Sequence, residues 1–327
     1  MNHGDTMLAT DLAGLRLRNP VMLAAGTAGT LDEMGDVLDL SRVGAVVTKS
    51  VTARARDGNA TWRILECKAG MLNAIGLANV GLEAFEAHVA PRIAGVPTAV
   101  VGSVAGFSIE DYVRVAGAMG EVEGIAAVEL NVSCPNVREG TEFGADPRLL
   151  RELVGAVRGA LPRTRLFVKL SPVAIGTPHG IADLARAAID AGAQPGGPNG
   201  RPGADALTIA NTVPAMAIDV ATRRPRLANM TGGLSGPAVH PIAVKLVYDA
   251  YRLVCRETGT PIIGCGGVQA WEDAAELILA GASAVQMGTA LFVDPRSALR
   301  VVRGLERWVR RQSAGSIEEL VGAVTVG

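Results

Sequence analysis

Several function classes are excluded by what the 327 residues lack. Charge of one sign is missing: 31 Lys and Arg stand against 32 Asp and Glu, a formal net charge of -1, so the basic footprint of a general nucleic-acid binder is absent. The four cysteines, Cys67, Cys134, Cys255 and Cys265, have neither C-x-x-C spacing nor a disulfide-dense framework. The N-terminus lacks the charged and apolar regions of a signal peptide, and together these features point to a reducing cytoplasm. The longest uncharged runs, 93–109 and 277–293, fall short of ~20 apolar residues and are broken by glycine, so no membrane span is expected. Neither G-x-G-x-x-G nor G-x-x-x-x-G-K-[ST] occurs, which removes a Rossmann pyrophosphate loop and a P-loop. There is no G-x-S-x-G elbow and no H-E-x-x-H, so serine hydrolase chemistry and a metal site are not indicated.

What is present is glycine, 40 residues against 17 prolines, in a chain that is 49% hydrophobic and only 19% charged. That composition is globular. The length suits either two ordinary domains or one (β/α)8 barrel. Short apolar runs recur at 21–25, 45–49, 98–101, 127–131, 166–170, 206–210, 261–264 and 284–288, each followed by residues with helical spacing. Near-continuous apolar strands alternating with helices imply a parallel sheet buried on both faces. Eight such units favour a closed TIM barrel, with residues 1–327 forming a single domain. Asp146-Pro147 before Leu149, Leu150, Leu153, Val154 and Val157 reads as a capped helix start with an apolar stripe, and 181–191 and 271–280 read likewise. Residues 194–203, with four glycines and three prolines, form a breaker-rich loop that looks like a surface insertion. Segments 52–79 and 213–228 exceed ordinary βα loops and are expected to supply extra strands or hairpins over the C-terminal mouth.

In such a barrel the reactive groups belong at the carboxyl ends of the strands. Here those ends are polar. Lys49-Ser50 closes the second, Asn131 with Ser133-Cys134 the fourth, Lys169 the fifth and Asn211-Thr212 the sixth, while glycines close the last two. The histidines His3, His88, His179 and His240 fall elsewhere. A lysine in an apolar strand is commonly a snorkelling or ion-paired side chain. Two lysines converging on one mouth suit instead an anionic ligand and a cofactor that becomes negative. The stretch 264–268, followed by Gly288-Thr289, places backbone amides near helix starts, where a phosphate can bind, although glycines there also serve as plain turn residues. A mononucleotide fits better than NAD or ATP. A free cysteine is usually inert and buried, the reading taken for Cys67, Cys255 and Cys265. Cys134 differs in standing just beyond a strand, before a loop with Gly140 and Gly144 that could close over a site while a thiolate removes a proton.

A set of motifs, in order along most of the chain, resembles the class 1 dihydroorotate dehydrogenases, flavin enzymes of pyrimidine biosynthesis. They are Asn19-Pro20 with Ala25-Gly26-Thr27, Thr48-Lys49-Ser50, Asn73-Ala74-Ile75-Gly76-Leu77, the stretch from Glu129 through Asn131, Cys134 and Asn136, and Lys169-Leu170-Ser171-Pro172. Further on come Asn211-Thr212, Gly233-Leu234-Ser235-Gly236-Pro237, Gly266-Gly267 and Gly288-Thr289. The resemblance implies an FMN-containing barrel that oxidises dihydroorotate to orotate. By the same resemblance Cys134 removes the C5 proton while hydride leaves C6 for the flavin. Lys169 holds the flavin edge that becomes negative on reduction, and Lys49 meets the substrate carboxylate. Asn73, Asn131, Asn211 and Thr212, with the Ala74, Ile75, Gly76 and Leu77 loop, surround the pyrimidine, and Asn136 is a further candidate. Ala25, Gly26, Lys49, Ser50, Ser103, Asn131, Lys169, Ala210, Gly236, Gly266, Gly267, Gly288 and Thr289 make up the implied cofactor set. Two positions depart from the family pattern: Ser103 stands where asparagine is common, and Ala210 where a larger aliphatic residue is usual.

The run from Asn131 through Gly144 resembles the class 1B branch most. That implies a homodimeric core whose subunits pass electrons to a partner carrying FAD and an iron-sulfur cluster, with NAD as acceptor. The absence of a Rossmann fingerprint and of ferredoxin-like cysteine spacing agrees with those carriers residing elsewhere. Two alternatives remain at this stage. One is a related flavin enzyme acting on uracil- or thymine-type dihydropyrimidines, against which Lys49 and the Asn73 to Leu77 loop argue. The other is a non-catalytic barrel that binds phosphorylated ligands.

Overall fold

The structure is a computed structural model describing residues 7–133, 143–172, 178–192 and 196–325. It begins with a hairpin of β1 (Thr10–Leu12) and β2 (Leu15–Leu17), which pair antiparallel. Next comes β3 (Val21–Leu23), the first strand of the barrel, and then β4 (Ala45–Val47). A second hairpin, β5 (Ile64–Cys67) with β6 (Gly70–Asn73), precedes β7 (Ala99–Val104), β8 (Ile125–Asn131), β9 (Arg165–Lys169) and β10 (Ala206–Ile209). The remaining strands are β11 (Val213–Met216), β12 (Ile218–Asp219), β13 (Arg224–Pro225), β14 (Thr231–Ser235), β15 (Ile262–Cys265) and β16 (Ala282–Met287).

Eight strands close in the order β10-β15-β16-β3-β4-β7-β8-β9, all paired in parallel. This is the (β/α)8 barrel that the alternation of apolar runs predicts, and each predicted run overlaps its barrel strand. Helices cover the outside: α1 (Gly81–His88), α2 (Ala90–Ile93), α3 (Ile109–Gly120), α4 (Pro147–Ala160), α5 (Ile181–Ile189), α6 (His240–Ala250), α7 (Arg256–Thr258), α8 (Trp271–Ala280), α9 (Ala290–Val293) and α10 (Ser297–Arg311). The Asp146 carboxylate accepts from the backbone N–H groups of Arg148 and Leu149 and so caps α4, whose apolar stripe from Leu149 to Val157 is buried. The first crossover departs from the expected pattern. Between β3 and β4 the chain makes only two 3-10 turns, Glu33–Asp36 and Leu40–Arg42, and the amphipathic α10 packs against β3.

The barrel encloses a small core in which Met22, Val47, Val101, Phe167 and Ile263 meet Leu12 and Leu17. The β1–β2 hairpin therefore plugs the N-terminal end. Between strands and helices lies a much larger apolar layer that includes Leu150, Leu184, Leu277 and Leu305. Two long βα segments form a four-stranded antiparallel sheet of order β11-β14-β6-β5, as expected of 52–79 and 213–228, although β14 lies beyond the predicted stretch.

The breaker-rich loop is more than a surface insertion. Its Gly196 bridges Arg201, and Asn199 donates both to Ala13 O (2.7 Å) and to Asp205 Oδ1 (3.2 Å). Gly197 has φ +68 and lies so close to the Arg158 guanidinium that a Cβ there would sit 2.6 Å from it. The loop thus covers a buried ion pair, Arg158 Nη1 to Asp205 Oδ2 at 2.8 Å, near the end of the barrel opposite the strand carboxyl ends.

Candidate active site

Strands of period two turn every second side chain toward the barrel axis. On β9 these are Phe167 and then Lys169, on β8 Ala127, Glu129 and Asn131, and on β16 Ala284 and Gln286. The axis is consequently apolar below and polar above. Over the polar end opens a cavity of about 470 Å³, within the ~300–1,000 Å³ usual for small-molecule and cofactor sites.

Most of the residues singled out from the sequence line this cavity. Ala25 and Gly26 follow β3, Lys49 and Ser50 follow β4, and Asn131 and Lys169 end β8 and β9. Ala210, Asn211 and Thr212 follow β10, and Gly236 follows β14. Gly266 and Gly267 follow β15, and Gly288 and Thr289 follow β16. Asn73, Ile75 and Leu77 arrive from the hairpin side, whereas the alternating Ala74 and Gly76 do not line the cavity. Ala74 donates its N–H to Arg63 O, and Gly76 O accepts from Arg56 Nε. Ser103 does not line it either. It is fully buried behind Ser50, with the two hydroxyls 2.8 Å apart. Cys134 and Asn136 lie outside the described residues.

Asn131 and Asn211 hold each other: Asn211 Nδ2 donates to Asn131 Oδ1 (3.0 Å) and to Ser133 Oγ (3.0 Å). Asn211 Oδ1 in turn accepts from Thr212 N (2.8 Å), and Tyr112 OH donates to Asn131 O (2.5 Å). These amides are therefore fixed in direction. Asn73 Nδ2 donates to Gly233 O across the hairpin sheet. The segment containing Cys134 leaves from Ser133 and returns at Phe143, and Gly144 N donates to Val132 O (3.0 Å), so its two ends lie together.

The two lysines that face this cavity stand in different settings. Lys169 is 7% exposed and donates to Gln286 Oε1 at 3.0 Å. Burial works against its charge, while Cys265 and the Glu129 carboxylate favour it, and the net effect raises its pKa. Lys169 is thus a cation at neutral pH. Lys49 is more open, and burial followed by the nearby Arg63 guanidinium lowers its pKa below the ordinary lysine value.

Sequence reasoning missed several lining residues. Arg63 reaches the mouth from the turn before β5, its guanidinium tied to Asp57 O (2.9 Å) and Asn59 O (3.3 Å). Gln286, which lines the cavity, and Glu129, buried beneath it, are polar residues inside apolar strands, a signal comparable to that of the lysines. Cys265, read as inert, lines the cavity beside Lys169, its thiol pushed up by burial. Cys255 fits the inert reading, being buried and pushed up to about 12. His240 braces the glycine loop from behind: Nδ1 lies 2.8 Å from Gly266 O, Nε2 3.1 Å from Glu276 Oε2, and a Cβ on Gly267 would meet its Cβ at 2.6 Å. The helix after Gly288-Thr289 has only four residues, so loop amides rather than a helix dipole are what that end offers.

The comparisons with known proteins agree with this arrangement. A family model described as dihydroorotate dehydrogenase matches residues 7–309. The chain belongs to the dihydroorotate dehydrogenase family. It is 44% identical over 318 residues to a protein of Pelobacter propionicus named dihydroorotate dehydrogenase B (NAD(+)), catalytic subunit, covering 97% of this chain and 98% of that one. Proteins of the same name from Bacteroides fragilis (42% over 320 residues, 98% and 99% covered) and Geotalea uraniireducens (42% over 322 residues, 98% and 99%) are similar to it as well. Dihydroorotate dehydrogenases are flavoproteins, and the cavity suits such a group. Its floor carries a buried cation, and a Cβ at Gly26 (φ +75) would meet no atom within 4 Å, so this backbone faces open space. Among the described residues no three His, Cys, Asp or Glu side chains are grouped to hold a metal, and no helix is long and apolar enough to cross a membrane.

Proposed function

We propose that this chain oxidises dihydroorotate to orotate with FMN, as a catalytic subunit that passes the electrons to an NAD-linked partner. The observation that carries this reading is the convergence of Lys169, Lys49 and the fixed pair Asn131 and Asn211 on one cavity at the strand carboxyl ends. When bound, FMN accepts the two electrons and the hydrogen removed from C6.

The chain's own residues do the rest. Lys169 presents a cation to the flavin edge where negative charge develops, an electrostatic contribution made before the reaction begins. Gly266, Gly267, Gly288 and Thr289 offer backbone amides to the phosphate, with Ala25, Gly26, Ser50, Ala210 and Gly236 as further contacts. Lys49 pairs with the substrate carboxylate, assisted by the positive field of Arg63. Asn73, Asn131, Asn211 and Thr212 hydrogen-bond the pyrimidine ring. An uncarboxylated dihydropyrimidine would satisfy the same amides but leave the Lys49 ammonium without its partner, which supports dihydroorotate over such rings. Cys134 takes the C5 proton on Sγ. It follows Ser133, whose hydroxyl is already bound to Asn211.

The chain acts as one barrel domain, paired with a second copy and with a partner subunit carrying FAD and an iron-sulfur cluster. The free thiols Cys67, Cys255 and Cys265 are consistent with a reducing cytoplasm. An absorbance spectrum followed by anaerobic addition of dihydroorotate tests cofactor and substrate together, and a flavin band that bleaches is the expected result. Protein that stays colourless with added FMN overturns the reading, as does bleaching by dihydrouracil in preference to dihydroorotate. Rapid fumarate-linked turnover by the isolated chain overturns the NAD-linked partner.

A further inference from the structure

Below the cavity floor lies a buried polar cluster that the proposed reaction does not use directly. Glu129 on β8 is fully buried, and its Oε2 accepts two short hydrogen bonds, from Thr208 Oγ1 on β10 and from Gln286 Nε2 on β16, each 2.6 Å. Its Oε1 has no hydrogen-bond partner among the described residues. Gln286, 1% exposed, reaches the other way as well, its Oε1 accepting from Lys169 Nζ at 3.0 Å. A carboxylate removed from water is costly unless charge-assisted bonds compensate. In a structural ion pair the carboxylate would sit directly on the ammonium. Here an amide stands between them.

The chemistry of its neighbours fixes the direction of that amide. An ionised carboxylate only accepts and an ammonium only donates. Nε2 must therefore face Glu129 and Oε1 must face Lys169, because the flipped amide would set like against like at both ends. Of three ammonium donors, Gln286 takes one and the Cys265 sulfur engages a second. Lys169 is left held from below with a donor for the cavity it lines. We propose that Glu129 is a positioning residue which, through Gln286, fixes the direction of the Lys169 ammonium and offsets part of its charge, and so sets the reduction potential of the bound flavin. This inference rests on the flavin reading above. Three adjacent strands, β8, β9 and β10, together with β16, supply the cluster, so the rigid part of the barrel rather than a loop holds the cation.

The sign follows from the charges. Replacing the carboxylate leaves Lys169 unopposed, which favours an anionic reduced flavin and raises the midpoint. Removing the amide instead lets ammonium and carboxylate close on each other, draws the cation away from the cavity, and lowers the midpoint while weakening flavin retention. The test is a redox titration of flavin bound to the holoenzyme, with the flavin dissociation constant measured alongside, in wild type, Glu129→Gln and Gln286→Met. Glu129→Gln is expected to shift the ratio of reduced to oxidised flavin about tenfold, a rise of about 30 mV for a two-electron couple. Gln286→Met is expected to move the midpoint the opposite way. Midpoints equal to wild type in both variants, or shifts of the same sign, overturn the proposal, because a merely structural cluster would change stability and not the potential. If Glu129→Gln does not fold, Gln286→Met decides alone, and a midpoint that does not fall overturns the proposal. A wild-type chain that holds no flavin brings down the functional reading and this inference with it, whereas a flavin-loaded chain with unmoved midpoints sinks this inference only.

Discussion

Phe167 and Lys169 stand two residues apart on β9, both turned to the barrel axis, and they belong to different regions of the molecule. Phe167 lies in the lower interior with Met22, Val47, Val101 and Ile263, sealed by Leu12 and Leu17 of the hairpin plug. Lys169 lies in the upper interior with Glu129, Thr208, Gln286 and Cys265. The same strands build both regions, and one step of period two separates apolar packing from a buried charge network. The lower region repays burial directly, since each apolar side chain removed from water stabilises the fold. The upper region spends stability on desolvated charge and keeps it because every strand is already held from below.

The sharpest way to break this comparison is to alter chemistry without altering packing. Cys134→Ala should retain flavin and melt like wild type, yet lose dihydroorotate-driven flavin reduction by ~10²–10⁴-fold, since alanine offers no base. Stopped-flow reduction beside a thermal melt reads both effects, and a wild-type reduction rate would remove Cys134 from the mechanism.

The reverse experiment is next in size. Phe167→Ala empties the centre of the lower interior and should cost ~3–5 kcal/mol of stability, measured by denaturant unfolding. The folded fraction should keep its flavin potential. Lys169→Ala, two residues on, should instead weaken flavin retention and slow flavin reduction with a smaller change in unfolding. If both variants gave the same pair of changes, the interior would be one region rather than two.

A third test concerns the closed end of the barrel. Asp205 accepts from Arg158, from the backbone N–H of Leu166 (2.8 Å) and from Asn199 of the Pro/Gly-rich loop. Asp205→Ala leaves the buried Arg158 uncompensated, and ~3–5 kcal/mol should be lost. The substrate KM of the folded fraction should not change, because the ion pair does not line the cavity. A changed KM would tie the two ends of the barrel together.

The smallest effect is expected from pH. Burial and Arg63 depress the pKa of Lys49, so its ammonium is present at low and neutral pH and is lost, as pH rises, earlier than from an ordinary lysine. The KM for dihydroorotate should accordingly begin to climb below the usual lysine range. In Lys49→Arg that climb should vanish, because arginine stays charged throughout. A KM profile identical in the two proteins would remove Lys49 as the partner of the carboxylate.

Much of this was legible in the chain. Eight apolar runs ending in small or polar residues are enough to imply a parallel barrel, because only strands buried on both faces read that way. The polar ends of those runs then mark the active mouth, since the fold exposes reactive groups there. The β1–β2 hairpin was not legible, its three-residue strands being too short for any periodicity to register. Nor was the role of His240, which depends on Gly266 and Glu276 being brought against it by other elements.

The order of residue types along the chain was enough for the barrel, the family and the positions of Lys49, Asn131, Lys169 and Asn211 at strand ends. It took the folded barrel to show that Ser103 turns behind Ser50, that Ala74 and Gly76 do not line the cavity, and that Glu129 reaches Lys169 through Gln286. The physical reason is closure. Period two says which side chains face the axis, but which of them meet is set by the stagger of eight strands around a ring, where β16 stands across from β8 and local sequence carries no record of the distance between them.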